Sequence, residues 1–519
     1  MREPIVPWRS VSILAAAGLC GTALAGGVPT TTVIAHGFSP SGKGAWVQAT
    51  AAAVVARAGG IGTVYRYQDE VGAWTRVDGI GNGSAEHIVA IFNWDADSAA
   101  PEEGPNLGYV QAAGDALYAI LRDATYAPGS SGPADLVTGR ASHFIGHSRG
   151  ACTISEAILR LGVAGIAVDQ MTTLDPHPVN GTLDARFNLN WGDPVPKRWS
   201  NVAWADNYWR ADGGGLINGL DFDGMPLDNV FNVQLSESVL NCCAYSFSHS
   251  DVHLWYFGTV DLSTGASNGE ESITSQMRSS WWPEGAGNVG FARSAIVGGA
   301  RPAISPGIAP LPSLAPVLHN GNFDGGTRAG WAMHGGSGAN LQSASGNWFA
   351  RLSASRAQLT HNRSFLPEPR DPARPLELSL AMRRSGTAGA NDSLRIELQG
   401  VGDETASPVP GASWGVAALG TSFSTVTVPI PAALCGRTSR LIFVLDGGGD
   451  GIASTVDIDD IVIFVPPLAA DLNGDLRVDG VDLGILLAAW GPCAGCPADI
   501  NGDGFVTAVD LASLLAAWG

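Results

Sequence analysis

Charge is scarce in this 519-residue chain: only 15 % of its positions carry it, and 29 Lys and Arg face 48 Asp and Glu. A formal net charge of −19 leaves no basic surface for a polyanion, so no nucleic acid is expected among its partners. Long apolar runs are equally scarce. Beyond residues 1–25 no stretch is long and apolar enough to cross a bilayer, and no transmembrane span is expected. Cysteine occurs seven times, too thinly for a disulfide scaffold, so the fold must rest on packed cores. What is abundant is Gly, 68 residues, with 16 Trp and 45 % hydrophobic positions, the composition of a globular rather than a disordered chain. Its length calls for two or three domains.

Residues 1–25 have the form of a secretory signal peptide. Arg2 and Arg9 give the positive start, Val11 to Leu24 is largely apolar, and Ala23-Leu24-Ala25 is a cleavage site. The rival reading, a membrane anchor, needs a longer span. A secreted protein, extracellular or attached to a cell surface, is expected. Without the signal, Cys152, Cys242, Cys243, Cys435, Cys493 and Cys496 remain, an even number in an oxidising compartment. Cys493 and Cys496 can close a small loop, whereas a zinc site would need a second ligand pair. Cys242 and Cys243 are adjacent and would be strained if joined to each other, so each is free or paired elsewhere.

The chain is organised around Gly146-His147-Ser148-Arg149-Gly150. A short apolar run, His143 to Ile145, precedes it, and Ile154, Ala157, Ile158 and Leu161 come after it at helical spacing. Strand, tight turn with serine at its tip, then helix is the context of a nucleophile elbow. Glycines flank such a serine because the turn brings backbone too close for side chains. A second match, Gly411-Ala412-Ser413-Trp414-Gly415, comes after Pro408 and Pro410, leads into no amphipathic helix, and reads as loop.

Residues 28–300 alternate strand-like and helical stretches, the pattern of a mostly parallel sheet with helices on both faces. Expected strands cover 31–35, 62–67, 88–93, 143–145, 170–174, 200–204 and 229–235, and expected helices 47–58 and 109–124. The order of Ile34-Ala35-His36-Gly37-Phe38, Asn93-Trp94-Asp95, the serine motif, Leu174-Asp175-Pro176 and the His-rich segment from Ser248 to Phe257 resembles the α/β-hydrolase lipases, most closely the pancreatic-lipase-like branch. Arg149 departs from the family's usual leucine, and residues 176–248 align with no lipase lid. The resemblance implies a triad of Ser148 as nucleophile, Asp175 as acid and His249 as general base, with His253 and Asp206 as the alternatives. It implies an oxyanion hole from the backbone N–H groups of Phe38 and Arg149. His36 and His147 are expected to support the turn. Trp191, Trp199, Trp204, Tyr208, Trp209 and Phe222 either line an apolar pocket or belong to the core.

Residues 301–316 form a Pro-rich linker. Residues 317–465 then alternate with period two between turn residues, an all-β sandwich. Asn320-Gly321-Asn322-Phe323-Asp324, Gly330-Trp331 and Asp457-Ile458-Asp459-Asp460-Ile461 resemble jelly-roll carbohydrate-binding modules, which implies a possible carbohydrate partner; a spacer role is the alternative.

The tail repeats itself. Asp471, Asn473, Asp475, Arg477, Asp479 and Asp482 recur as Asp499, Asn501, Asp503, Phe505, Thr507 and Asp510, and each copy ends in Leu-Ala-Ala-Trp-Gly. Carboxylate or amide oxygens at loop positions 1, 3, 5, 9 and 12, with a backbone carbonyl at position 7 (Arg477 or Phe505), suit a seven-coordinate hard cation. Residues 469–519 resemble type I dockerins, in the cysteine-containing variant of bacterial surface proteins. That implies two Ca²⁺ ions and a cohesin-like docking partner or surface scaffold.

The expectation is therefore a multidomain chain: an α/β hydrolase over 28–300, a jelly-roll-like sandwich over 317–465, and a small α-helical, calcium-binding dockerin. Its expected activity is hydrolysis of carboxylic esters, by a serine lipase or esterase needing no cofactor for catalysis. A catalytically inactive, surface-anchored binding protein is the alternative.

Overall fold

The computed structural model describes residues 28–518 except 40–43, 69–72, 100–106, 124–134, 182–189, 212–215, 218–219, 222, 236, 241–243, 246–247, 305–307, 313–316, 335–337, 354–355, 369–374, 401–402, 404, 467 and 475–477. Residues 1–25, read above as a signal peptide, and Cys242, Cys243, Phe222, Asp475 and Arg477 lie outside the described residues.

The first unit is built on β1 (Thr30–Ala35), α1 (Trp46–Arg57), β2 (Thr63–Gln68), β3 (Ala73–Val77), β4 (His87–Asn93), α2 (Asp95–Ser98), α3 (Tyr109–Arg122), β5 (Ala141–His147), α4 (Arg149–Val163), β6 (Val168–Leu174) and β7 (Val202–Trp209). A short pair, β8 (Leu216–Ile217) and β9 (Leu220–Asp221), precedes β10 (Phe231–Gln234), α5 (Glu237–Leu240), α6 (Ser248–Val260) and α7 (Ser275–Ser280). Eight strands form one sheet in the order β10-β7-β6-β5-β1-β4-β2-β3. All its pairings are parallel except β2 with β3. Central strands are buried on both faces and therefore read as continuous apolar runs. Val33 and Ala35 pack with α3 and α4, while Ile34 faces α1 and α6, so helices cover both faces. Strand β3 lies outside the expected elements: its alternation is weak, and only Trp74 of its five residues is buried. Strand β7 runs five residues beyond the expected 200–204, which matters for Asp206 below.

The second unit holds β11 (Trp331–His334), β12 (Ala339–Ala344), β13 (Asn347–Leu352), β14 (Ala357–His361), β15 (Ser364–Leu366), β16 (Glu377–Arg384), β17 (Ser393–Gly400), β18 (Ser407–Gly415), β19 (Ser424–Pro429), β20 (Arg437–Asp446) and β21 (Val456–Phe464). These form a six-stranded and a five-stranded antiparallel sheet, face to face. Leu378, Leu380, Leu394, Ile396, Leu441, Phe443, Val456 and Ile458 fill the space between them. The second Gly-x-Ser-x-Gly lies inside β18 rather than in a loop. Strand β18 pairs only with β17, at an edge where Pro408 and Pro410 cost no ladder hydrogen bond on their open side. Trp331, one of the residues behind the sugar-binding resemblance, is core. Its ring packs on Phe323, His361 and Phe443, and its Nε1–H donates to the Asn320 carbonyl at 3.0 Å.

The two units are joined by more than a tether. Thr438 at the start of β20 caps the C-terminus of α3: its N–H donates to Asp123 and its hydroxyl to the Ala119 carbonyl, both at 2.6 Å. Phe365 packs edge-on against Tyr118 and under the Arg122 guanidinium. The Thr327 hydroxyl donates to the Leu107 carbonyl at 2.7 Å. The expected linker also runs along the first unit where it is described. The Ala309 N–H donates to the Arg198 carbonyl, and its own carbonyl accepts from the Ser200 N–H.

In the tail, α8 (Gly480–Ala488) and α9 (Ala508–Ala516) each come after a loop, and their N-terminal residues form matching capping boxes, Asp479 with Asp482 and Thr507 with Asp510. Strands β22 (Gly491–Pro492) and β23 (Phe505–Val506) pair antiparallel beside the Cys493–Cys496 disulfide.

The expected fold class is corrected on these observations. Most of the elements are strands, and the sandwich with its jelly-roll-like pair of sheets is the larger β layer, set beside a separate parallel sheet. The tail is not purely helical either. Period-two alternation over 331–464 commits eleven strands to two buried faces. In the tail, Gly491, at φ +113°, lets the chain turn back and pair with Phe505–Val506.

Candidate active site

Parallel strands β5 and β6 end side by side, and the residue after each leaves regular geometry. Ser148 sits between β5 and α4 at φ 57°, ψ −130°, and Asp175 comes directly after β6 at φ 46°. A non-glycine residue at positive φ is strained, and such strain persists only where packing enforces it. The enforcement is visible in the glycines. A Cβ at Gly150 would stand 2.6 Å from the Ala35 carbonyl oxygen, and one at Gly146 would stand 2.7 Å from the Ala151 Cα. A Cβ at Gly37 would press on Ser148, 2.9 Å from its Oγ. The Ser148 N–H donates to the Leu174 carbonyl at 2.9 Å, tying the serine turn to the aspartate turn.

Asp175 has no solvent exposure, and each of its oxygens has a partner. Oδ1 accepts the Arg210 N–H at 2.7 Å, and Oδ2 lies 2.6 Å from His249 Nδ1. Burial pushes the Asp175 carboxyl well up, while the Arg210 N–H and the His177 and Arg210 charges pull the other way. Donation from His249 Nδ1 to this carboxylate leaves Nε2 as the basic nitrogen of the ring. His249 is the second residue of α6.

The alternatives are placed elsewhere. His253 lies one turn along α6, its ring stacked on Trp46 at 4.5 Å and edge-on to Tyr245. Burial holds its imidazole well below the usual histidine range, and its Nδ1 has no hydrogen-bond partner. Asp206 pairs with Thr172 in the middle of the sheet because β7 continues to Trp209. Its carboxylate accepts from Thr172 Oγ1 at 2.6 Å, Tyr208 OH at 2.8 Å and Gln170 Nε2 at 3.3 Å. Burial raises it to about 6 against those three donors. It is a satisfied core carboxyl, and the histidine's ring is on Asp175.

The turn at Gly37 is braced by His36, whose Nδ1 lies 2.8 Å from the Gly37 carbonyl oxygen and whose Nε2 lies 3.1 Å from Asn93 Oδ1, 3.2 Å from Asp95 Oδ1 and 3.2 Å from the Trp94 nitrogen. Phe38 is next to Gly37, and the Arg149 N–H opens α4, where the first turn has no intrahelical acceptor. Gly37, just before Phe38, lies against Ser148, and Arg149 comes directly after it.

Arg149 explains its own departure from leucine. Its side chain is 1 % exposed and forms a fork with Asp193, Nε to Oδ2 at 2.7 Å and Nη2 to Oδ1 at 2.8 Å. Nη1 donates to the Ser98 carbonyl at 2.7 Å, and the guanidinium lies 4.8 Å from the Trp191 ring centre. The segment after β6 is thereby fastened over the serine turn, with Trp191 against Phe38 at 5.9 Å. Among the aromatics singled out that are described, Trp191 packs beside Phe38. Trp204 and Tyr208 are core, and Trp199 donates to the Ser155 carbonyl. Sequence reasoning missed Asp193, for which a lone Asp after Gly192 gave no signal.

In the tail, the carboxylates are occupied by backbone donors. Asp510 accepts the N–H groups of Thr507 and Asn501, Asp482 those of Asp479, Leu472 and Asn473, and Asp499 those of Asp503 and Gly504. The Asp471 carboxylate accepts the Gly474 N–H at 2.8 Å. All these oxygens are hard donors of the kind calcium takes, but among the described residues no three acidic, His or Cys side chains converge on one point. No helix among the described residues is long and apolar enough to cross a membrane.

No family model and no curated protein matches the chain. Among solved structures it is similar to the enzymatically active domain of bacteriophage CBA120 tailspike protein 4, at 12 % identity and a TM-score of 0.21 over 30 % of this chain and 22 % of that one. It is likewise similar to the xylan-binding module CBM15, at 14 % identity and TM-score 0.21 over 26 % of this chain and 91 % of that one. A family 16 carbohydrate-binding module gives 14 % identity and 0.21 over 28 % and 99 %. The chain thus spans less than a quarter of the tailspike domain it matches. None of these is described as a lipase or a dockerin.

Proposed function

We propose that the chain is a secreted serine hydrolase of carboxylic esters, with Ser148 as nucleophile, His249 as general base and Asp175 as its orienting acid. The observation that carries this is the 2.6 Å contact of Asp175 Oδ2 with His249 Nδ1, at the strand edge where Ser148 is held at positive φ. In this reading His249 Nε2 takes the Ser148 hydroxyl proton as Oγ attacks the ester carbonyl. The N–H groups of Phe38 and Arg149 bind the oxygen that becomes negative. The same histidine returns the proton to the leaving alcohol, and water then releases the acyl group. A fluorophosphonate probe tests it: stoichiometric labelling that maps to Ser148 and vanishes in Ser148→Ala supports the triad. An unlabelled, folded wild type would favour the inactive, anchored protein instead.

The tail is proposed as a docking element ordered by two Ca²⁺ ions, held by Asp471, Asn473, Asp475, Asp479 and Asp482 in one loop and Asp499, Asn501, Asp503, Thr507 and Asp510 in the other. The carbonyls of Arg477 and Phe505 would complete them. Paired, identically capped loop–helix units support this. A Ca²⁺ titration monitored by calorimetry is expected to give two binding events and to protect residues 471–518 from proteolysis. Asp475→Ala/Asp503→Ala should lose both effects. No heat and unchanged cleavage would refute the metal sites. A carbohydrate is the proposed partner of the sandwich, which its jelly-roll-like pair of sheets supports.

A further inference from the structure

His147, the last residue of β5, immediately precedes the serine and is expected to support its turn. Its ring also reaches α6. Nε2 lies 3.0 Å from the main-chain carbonyl oxygen of His249, and the two imidazole centres are 4.5 Å apart. A carbonyl can only accept, so Nε2 carries the proton and His147 is in its Nε2–H form. We infer that His147 is a positioning residue for the general base: its Nε2–H grips the backbone of His249 and sets where that imidazole stands between Asp175 and Ser148. This rests on the triad reading above.

The surroundings fit the role. Because His147 and Ser148 are adjacent, the bond couples the nucleophile's strand directly to the helix that carries the base. The Asp175 contact holds the His249 ring at Nδ1, and the His147 bond holds its backbone. His147 is itself boxed in by the edge of the His253 ring at 5.0 Å and of Trp46 at 5.8 Å. The titratable groups facing it are His249 and His253 from α6, His36 from the end of β1 and His177 beyond β6. Burial first, then the charges of His249, His36 and His177, hold the ring well below the usual histidine range, against the bond to the His249 carbonyl. It therefore stays neutral when His249 gains a proton, and the imidazolium forms beside a dipole rather than a second cation.

The test uses the full chain and two readings. Histidine ¹⁵N NMR on the wild type and on Ser148→Ala should show His147 as the Nε2–H form. Kinetics on nitrophenyl esters compare His147→Phe, which keeps a flat ring and loses the donor, with His147→Gln, whose amide N–H reaches the same carbonyl. His147→Phe is expected to lower kcat about tenfold at nearly unchanged KM and to move the acidic limb of the kcat/KM profile. His147→Gln should recover most of both. An Nδ1–H form, or equal losses in the two variants with an unmoved acidic limb, overturns the inference. An ester rate that survives Ser148→Ala refutes the triad itself, and the positioning role falls with it even if the NMR form is as expected.

Discussion

Ser148→Ala is expected to lower the rate of ester hydrolysis by about 10⁴- to 10⁶-fold, with the fold unchanged. The effect is large because nucleophile and base act as a unit, so removing either forfeits nearly all of what both supply. His249→Ala should therefore cost as much as Ser148→Ala, and the double variant little more. His253→Ala is the control. Its ring is stacked on Trp46 while Asp175 is bonded to His249, so its loss should weaken stability and leave the rate per folded molecule within a few-fold. Rates across nitrophenyl esters from acetyl to palmitoyl, measured for the wild type and the four variants, check this. A larger loss for His253→Ala than for His249→Ala would reassign the base.

Asp193→Ala is expected to destabilise the first unit by about 3–5 kcal/mol, the cost of leaving a buried guanidinium without its carboxylate. Arg149 is 1 % exposed and Asp193 is 2 % exposed, so water cannot replace the lost partner without opening the segment that carries Trp191. Asp193 Oδ2 also accepts the Val179 N–H at 3.0 Å, which adds to the loss. Arg149→Leu/Asp193→Leu removes both charges and should regain a good part of the stability, since an apolar pair of similar volume avoids the desolvation penalty. Denaturant unfolding of the three proteins reads the difference. A loss below about 1 kcal/mol for Asp193→Ala would mean that the pair is open to solvent.

The serine turn was legible because its requirements are local. Glycine on either side, an apolar strand before and an amphipathic helix after are all properties of adjacent residues, and the clashes at Gly146 and Gly150 are the physical form of that pattern. Two sheets in the second unit were legible for the same reason, since a strand's two faces alternate with period two whatever it pairs with. The choice between Asp175 and Asp206 was not local. Both stand near strand ends in the sequence, and only the length of β7 and its register with β6 carry one carboxylate into the sheet and leave the other at its edge. His249 and His253 share a helical face by spacing, and what separates them is a carboxylate 74 residues away. The pairing of Arg149 with Asp193, the grip of His147 on the His249 carbonyl and the seating of Thr438 on α3 likewise join residues far apart in the chain. Composition and period determined the kinds of elements and the turn that holds the serine. Which distant side chains meet was decided by strand register and by the packing of loops across the sheet edge, because those contacts depend on where whole elements come to rest rather than on the residues beside them.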